Sequence, residues 1–214
     1  MSEREVWPGE PPADEVDELP HGEAERADDA DEAEPAEAEE PRLRVAHAHV
    51  PGELDVPDDV DLLEGEARST RRGVGIAVAR PSVDIVNRLL AEALDALEDA
   101  GVAKDAVTVM TVPGAFELPL AAMALAKTRR YSCVIALGCI IRDETPQFEY
   151  LAGEAASGLQ LAALETGIPV SFGVLTVDSL AQAEERVAAG AEAARSALEM
   201  ADLFSQLRSA AQAQ

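Results

Sequence analysis

The chain has 214 residues, 47% hydrophobic, 28% charged and 3% aromatic, which suits one α/β domain with a sizeable appendage and is too little for two full domains. Lys and Arg total 17 against 42 Asp and Glu, and the formal charge of -25 repels phosphate backbones and anionic headgroups, arguing against general binding to nucleic acid or membrane. So few aromatics make base-stacking platforms scarce and leave most of the core volume to Ala, Val and Leu.

The charge is uneven. Residues 1–70 carry 24 acids and 5 bases, net -19, whereas residues 71–214 carry 18 and 12, net -6. The first part holds Trp7 as its sole aromatic, most of the prolines, and runs such as Asp28-Asp29-Ala30-Asp31-Glu32. Low hydrophobicity with high charge does not offset the entropy of ordering, so residues 1–70 read as an acidic, mostly disordered extension and 71–214 as the folded domain. Within the extension, Leu43 to Val50 alternates weakly and reads as an edge strand. Met1-Ser2-Glu3-Arg4-Glu5 has neither the basic start nor the apolar run of a signal peptide, and no apolar stretch is long enough to span a bilayer.

From Gly73 onward the pattern is strand, helix, strand, helix. Val74 to Ala79 is a short apolar run suited to a buried parallel strand, and Ser82 offers a helix N-cap. Val83, Val86, Leu90, Ala93, Leu94 and Leu97 then recur at helical spacing up to Gly101, a C-terminal glycine. Ala106 to Val112 reads as the second strand, closed by Pro113-Gly114 ahead of an Ala/Leu helix to about Lys127. Cys133 to Leu137 is the third strand. Cys133 and Cys139 fall on one face about 20 Å apart, too far to bridge, which implies a reduced, cytoplasmic setting. Thr145 as N-cap with Pro146 at the first helical position starts a helix to Thr166. Pro169 to Leu175 is the fourth strand, and Ser179 to about Leu207 is helix with a break at Ala188-Ala189-Gly190. Strands alternating with helices predict a parallel sheet covered on both faces by right-handed crossovers.

In such sheets ligands sit beyond the carboxyl ends of the strands. That rule selects Arg80 after the first strand, Gly114-Ala115-Phe116-Glu117 after the second, and the polar cluster Arg142 to Gln147 after the third. Gly114 lets a backbone approach a ligand, and the helix start near Thr145 offers N–H groups to an anion, phosphate being the natural guest. The same residues also read as plain turn and cap residues. All three histidines, His21, His47 and His49, lie in the extension, so a Ser-His-Asp triad or a His metal site has no basis in the domain. Glu117 and Glu144 remain as acid/base groups or as solvated helix-start carboxylates. Neither GxGxxG nor GxxxxGK[ST] occurs, which leaves dinucleotide and nucleoside triphosphate sites without support.

Four segments carry a resemblance to a known family. Val112-Pro113-Gly114-Ala115-Phe116-Glu117-Leu118-Pro119, Ala136-Leu137-Gly138-Cys139-Ile140-Ile141-Arg142-Asp143-Glu144-Thr145, Glu165 to Thr176 and Ala197-Leu198-Glu199-Met200 are similar, in that order, to the lumazine synthase family over about residues 73–207. The resemblance implies a flavodoxin-like three-layer α/β/α sandwich with a four-stranded parallel sheet. It also implies the penultimate step of riboflavin synthesis, in which a ribityl-aminouracil condenses with dihydroxybutanone phosphate, releasing water and phosphate without a cofactor or metal. Sites in that family form between neighbouring subunits of a pentamer, and some members build icosahedral shells. By matched position, Ala115, Phe116, Glu117, Cys139, Ile140, Ile141 and Phe172 would contact the aminouracil side, and Glu144, Thr145 and Arg186 would hold the phosphate.

The departures are specific. The family's proton-transfer histidine falls on Gln147, which cannot exchange a proton near neutral pH. The aromatic that stacks on the pyrimidine falls on Pro81, with Ser82 where Asn is usual. Asp143 replaces a glycine beside the phosphate position, and the loop from Arg186 to Gly190 is short and lacks the usual lysine. One reading is therefore a slow lumazine synthase with an acidic extension. Another is a paralogue that keeps fold and assembly without the chemistry, or a lumazine or flavin carrier that binds without turnover. The extension itself reads as a solubilising tail, or as an arm that recruits a basic protein partner with Trp7 as an anchor.

Overall fold

The computed structural model describes residues 57, 59–70 and 72–212. The expected extension up to residue 56, the strand expected at Leu43 to Val50, and Trp7 lie outside the described residues.

Among the described residues, four strands form one sheet: β1 (Gly73–Ala79), β2 (Val107–Val112), β3 (Tyr131–Ile141) and β4 (Val170–Val177). Their order is β2-β1-β3-β4 and every neighbouring pair is parallel. The pattern departs from expectation mainly in β3, which runs on past Leu137 to Ile141. Its inner residues are buried on both faces, the environment that favours a long Val/Ile/Leu-rich strand.

Among the described residues, five α-helices cover the sheet: α1 (Val83–Asp99), α2 (Leu118–Lys127), α3 (Gln147–Thr166), α4 (Leu180–Glu184) and α5 (Ala189–Gln212). Alternation along β3 divides the core. Cys133, Ile135, Leu137 and Cys139 face a cluster built with Leu89, Leu97, Ala194 and Leu198 of α1 and α5. Val134, Ala136 and Ile140 face Leu118, Ala122, Leu159 and Ala162 of α2 and α3. The α/β/α sandwich and parallel sheet expected from sequence are thus present, and both cysteines are free, buried and on one face. Alanines supply many of the buried positions in both clusters, as the scarcity of aromatics requires.

The helix ends follow the sequence signals in part. Gly101 (φ 80) and Gly167 (φ 63) take left-handed backbone at helix C-termini, which glycine adopts without a Cβ penalty. Ser82 does stand at the start of α1, but its φ is 56 and its side chain makes no cap bond. Thr145 is not the N-cap of α3, because Pro146 takes that position and the helix begins at Gln147. The expected break falls at a turn before Ala189, ahead of which Ser179 caps α4 through Gln182 N–H at 3.3 Å.

Residues 64–69, which composition groups with the extension, lie along α5 and the end of α1. The Glu66 N–H donates to Asp202 (3.2 Å), Gln206 Nε2 donates to the Glu64 carbonyl (2.9 Å), and the Ser69 N–H donates to the Ala100 carbonyl (2.9 Å). Arg68 bonds Asp202 through Nε (3.0 Å) and Nη2 (2.9 Å).

Candidate functional site

In this strand order the topological switch lies between β1 and β3, where successive crossovers leave on opposite faces and their connecting segments part. A cavity of about 690 Å³ opens there, at the carboxyl ends of β1, β2 and β3, within the roughly 300–1,000 Å³ of small-molecule sites. Pro81 and Ser82 form one wall, directly after β1. Gly114, Ala115, Phe116 and Glu117 follow β2, and Cys139, Ile140 and Ile141 form the floor at the end of β3. Gln147 of α3 completes the group of expected residues.

Tyr150, Leu151 and Glu154 also line the cavity and were not anticipated. The signal was present: positions 147, 150, 151 and 154 share one helical face. Its direction depends on how α3 docks. Phe116 is 60% exposed and Tyr150 71%, so two aromatic side chains stand uncovered around an otherwise apolar floor, an arrangement suited to a planar heterocycle. Glu117 folds back over Gly114, whose position a Cβ would bring to 3.0 Å from Glu117 Oε2. Burial pushes the Cys139 thiol up, partly offset by a hydrogen bond with Ser82, so Cys139 is a neutral wall of the cavity and no thiolate nucleophile.

The remaining expected residues do not line this cavity. Phe172 pairs with Ala136 in the register of β4 on β3, which places it about 16 Å back along the strand from Ile141. It is 45% exposed on an edge strand. Arg186 is exposed in the turn before α5, where its Nη1 donates to the Gln182 carbonyl at 3.1 Å. Glu144 and Thr145 sit in the exposed loop ahead of α3.

That loop has an internal arrangement of its own. Asp143 accepts from the backbone N–H and hydroxyl of Thr145; these bonds, the hydroxyl first, hold its carboxyl below the usual aspartate range. Arg142 is also engaged, with Nε 2.8 Å from Asp178, Nη1 3.3 Å from Glu149, and its guanidinium 4.3 Å over the Phe148 ring. The Thr145 N–H, in the loop just ahead of α3, is therefore already turned to an anion of the chain itself.

Fold and cavity together define a doubly wound α/β protein of flavodoxin-like strand order with a small-molecule cleft at its switch point. The chain matches the sequence profile of 6,7-dimethyl-8-ribityllumazine synthase over residues 72–205. It is 48% identical over 155 residues to proteins of that name from Yersinia pestis (strain Pestoides F) and Yersinia pseudotuberculosis serotype O:1b (strain IP 31758), covering 70% of this chain and 99% of each relative. The chain belongs to the lumazine synthase family, transferases of riboflavin biosynthesis.

Proposed function

We infer that the protein condenses 5-amino-6-(D-ribitylamino)uracil with 3,4-dihydroxy-2-butanone 4-phosphate to 6,7-dimethyl-8-ribityllumazine, releasing water and phosphate. The observation that carries this reading is the convergence of Ala115, Phe116, Glu117, Cys139, Ile140 and Ile141 on one cleft in a chain so similar to named synthases. An amine and a ketone combine readily once held in contact, so positioning supplies much of the rate without a strong base. Gln147 can orient a substrate through its amide but cannot carry a proton. Proton transfers then fall to water and to the carboxylates of Glu117 and Glu154 that border the cleft.

A single chain gathers most of the residues expected on the aminouracil side and leaves Phe172 and Arg186 away from the cleft. A pentamer, closed or built further into a shell, would bring these residues of one subunit to the cleft of the next. Leu120, Leu161 and Leu164 are exposed on α2 and α3, apolar surface that such neighbours would cover.

The test is lumazine formation by the full-length protein against a buffer blank and a Gln147→His variant. Turnover above the blank, raised on the order of 10- to 100-fold by the histidine, supports the synthase. No turnover in a protein that still assembles sinks it, in favour of a scaffold or a lumazine-binding paralogue. The Asp143–Thr145 contact favours that second reading, because it sets a carboxylate where the phosphate would bind.

A further inference from the structure

The other end of the sheet carries a second polar cavity. It has a volume of about 440 Å³ and lies where β1 and β3 begin, beside the last turns of α5. β1 alone separates it from the cleft by roughly 20 Å, and the carboxyl-end rule for α/β sheets does not predict it. Arg68, Arg72 and Arg208 line it together with the hydroxyl residues Ser69, Ser132 and Ser205; the Ser132 hydroxyl donates to the Arg72 carbonyl at 3.4 Å, a long bond that an anion has to replace. Asp202 is the one acidic residue among its described lining residues.

The charges do not cancel. Asp202 is buried and already accepts from Arg68, the Glu66 N–H and Gln206, so Arg68 and Asp202 neutralise each other. Among the described residues the guanidinium groups of Arg72 and Arg208 have no hydrogen bond or ion pair. Among the described residues, two arginines without an acidic partner therefore line one pocket. Proximity to the carbonyl end of α5 accounts for Arg208 by the helix dipole. It does not account for Arg72, which comes from the start of β1, nor for the hydroxyl residues contributed by separate segments. A planar guanidinium fork with neighbouring hydroxyls is suited to a tetrahedral oxyanion.

We propose that this pocket binds a phosphate dianion, free or carried by a small phosphomonoester, through Arg72 and Arg208 with Ser69, Ser132 and Ser205 around it. The site is distinct from the cleft and does not depend on the activity inferred for it.

The experiment is hydrogen–deuterium exchange on the full-length protein with inorganic phosphate or glycerol 3-phosphate, against sodium chloride at matched ionic strength. Peptides containing Ser69, Ser132 and Ser205 are expected to slow saturably with either phosphate compound and not with chloride. Arg72→Gln with Arg208→Gln weakens that effect by about tenfold or more at an unchanged melting temperature, and Arg208→Gln alone gives an intermediate loss. Tighter binding of the ester identifies a phosphomonoester site, and equal binding a site for phosphate itself. Slowing by chloride alone to the same extent, no saturable slowing, or undiminished binding in the double variant overturns the proposal. Lumazine turnover does not enter the readout, so failure here and failure of the synthase reading are separate results.

Discussion

The carboxylate of Asp143 accepts two hydrogen bonds from Thr145, one from its backbone N–H at 2.8 Å and one from its hydroxyl at 2.7 Å. A loop N–H just ahead of α3 that could meet a substrate phosphate instead meets an anion two residues away. An incoming phosphate has to displace that carboxylate and bind near its charge.

Replacing Asp143 with glycine removes the competitor. The KM for the butanone phosphate is expected to fall about 3- to 10-fold in Asp143→Gly with kcat little changed, and the difference shrinks as salt screens the charge. Asp143 stays ionised at neutral pH, so any change in the effect between about pH 6 and 8 comes from the second ionisation of the substrate phosphate and not from Asp143. Equal KM values for the two proteins would show that the carboxylate does not compete.

Ser82 carries a left-handed backbone, φ 56 and ψ 49, at the mouth of the cleft. That conformation costs a β-carbon-bearing residue about 1–2 kcal/mol, and Asn bears it better than most. Ser82→Asn is expected to raise stability by about 0.5–1 kcal/mol, seen as a higher urea midpoint with an unchanged slope. Ser82→Val should lower it, and the reverse order would refute the strain argument.

Asp202 ties the segment entering β1 to α5. Burial pushes its carboxyl up, but hydrogen bonds from Arg68, Gln206 and the Glu66 N–H, with the Arg68 charge, outweigh that and bring it below the usual range. A carboxylate with a lowered folded pKa stabilises the fold above its unfolded value and loses that contribution as pH falls through the folded one. Wild-type stability should therefore drop more steeply below about pH 4 than that of Asp202→Asn. At pH 7 Asp202→Ala should cost about 1–2 kcal/mol, toward the low end because Arg68 is solvent-facing. Parallel acid-unfolding curves for wild type and Asp202→Asn would remove Asp202 from the account.

Gly190 is buried at the start of α5, where an added Cβ would run into the backbone carbonyl of Leu89 in α1. Gly190→Ala should destabilise by about 1–3 kcal/mol, because backbone on both sides has to move. Gly153 in α3 has nothing within 4 Å of the same position, and Gly153→Ala should stabilise by about 0.5–1 kcal/mol through helix propensity. Thermal unfolding of the two variants checks the contrast, and a shift of the same sign in both would contradict it.

Much of this protein was legible in its sequence because the determining forces are local. Val74 to Ala79 is a strand by its apolar run, Gly101 and Gly167 end helices because left-handed backbone favours glycine, and Gly114 to Glu117 lie after a strand end in any parallel sheet. Whole-motif similarity then pointed to the family. Tertiary structure decided what depends on residues distant in the chain. Docking of α3 turned Tyr150 and Glu154 into the cleft. Strand register set Phe172 away from Ile141, and Asp202 met Arg68 across 134 positions. Spacing along a chain encodes which face of an element a residue occupies. What that face meets follows only from how the elements pack, and so the pocket between Arg72 and Arg208 had no local signature.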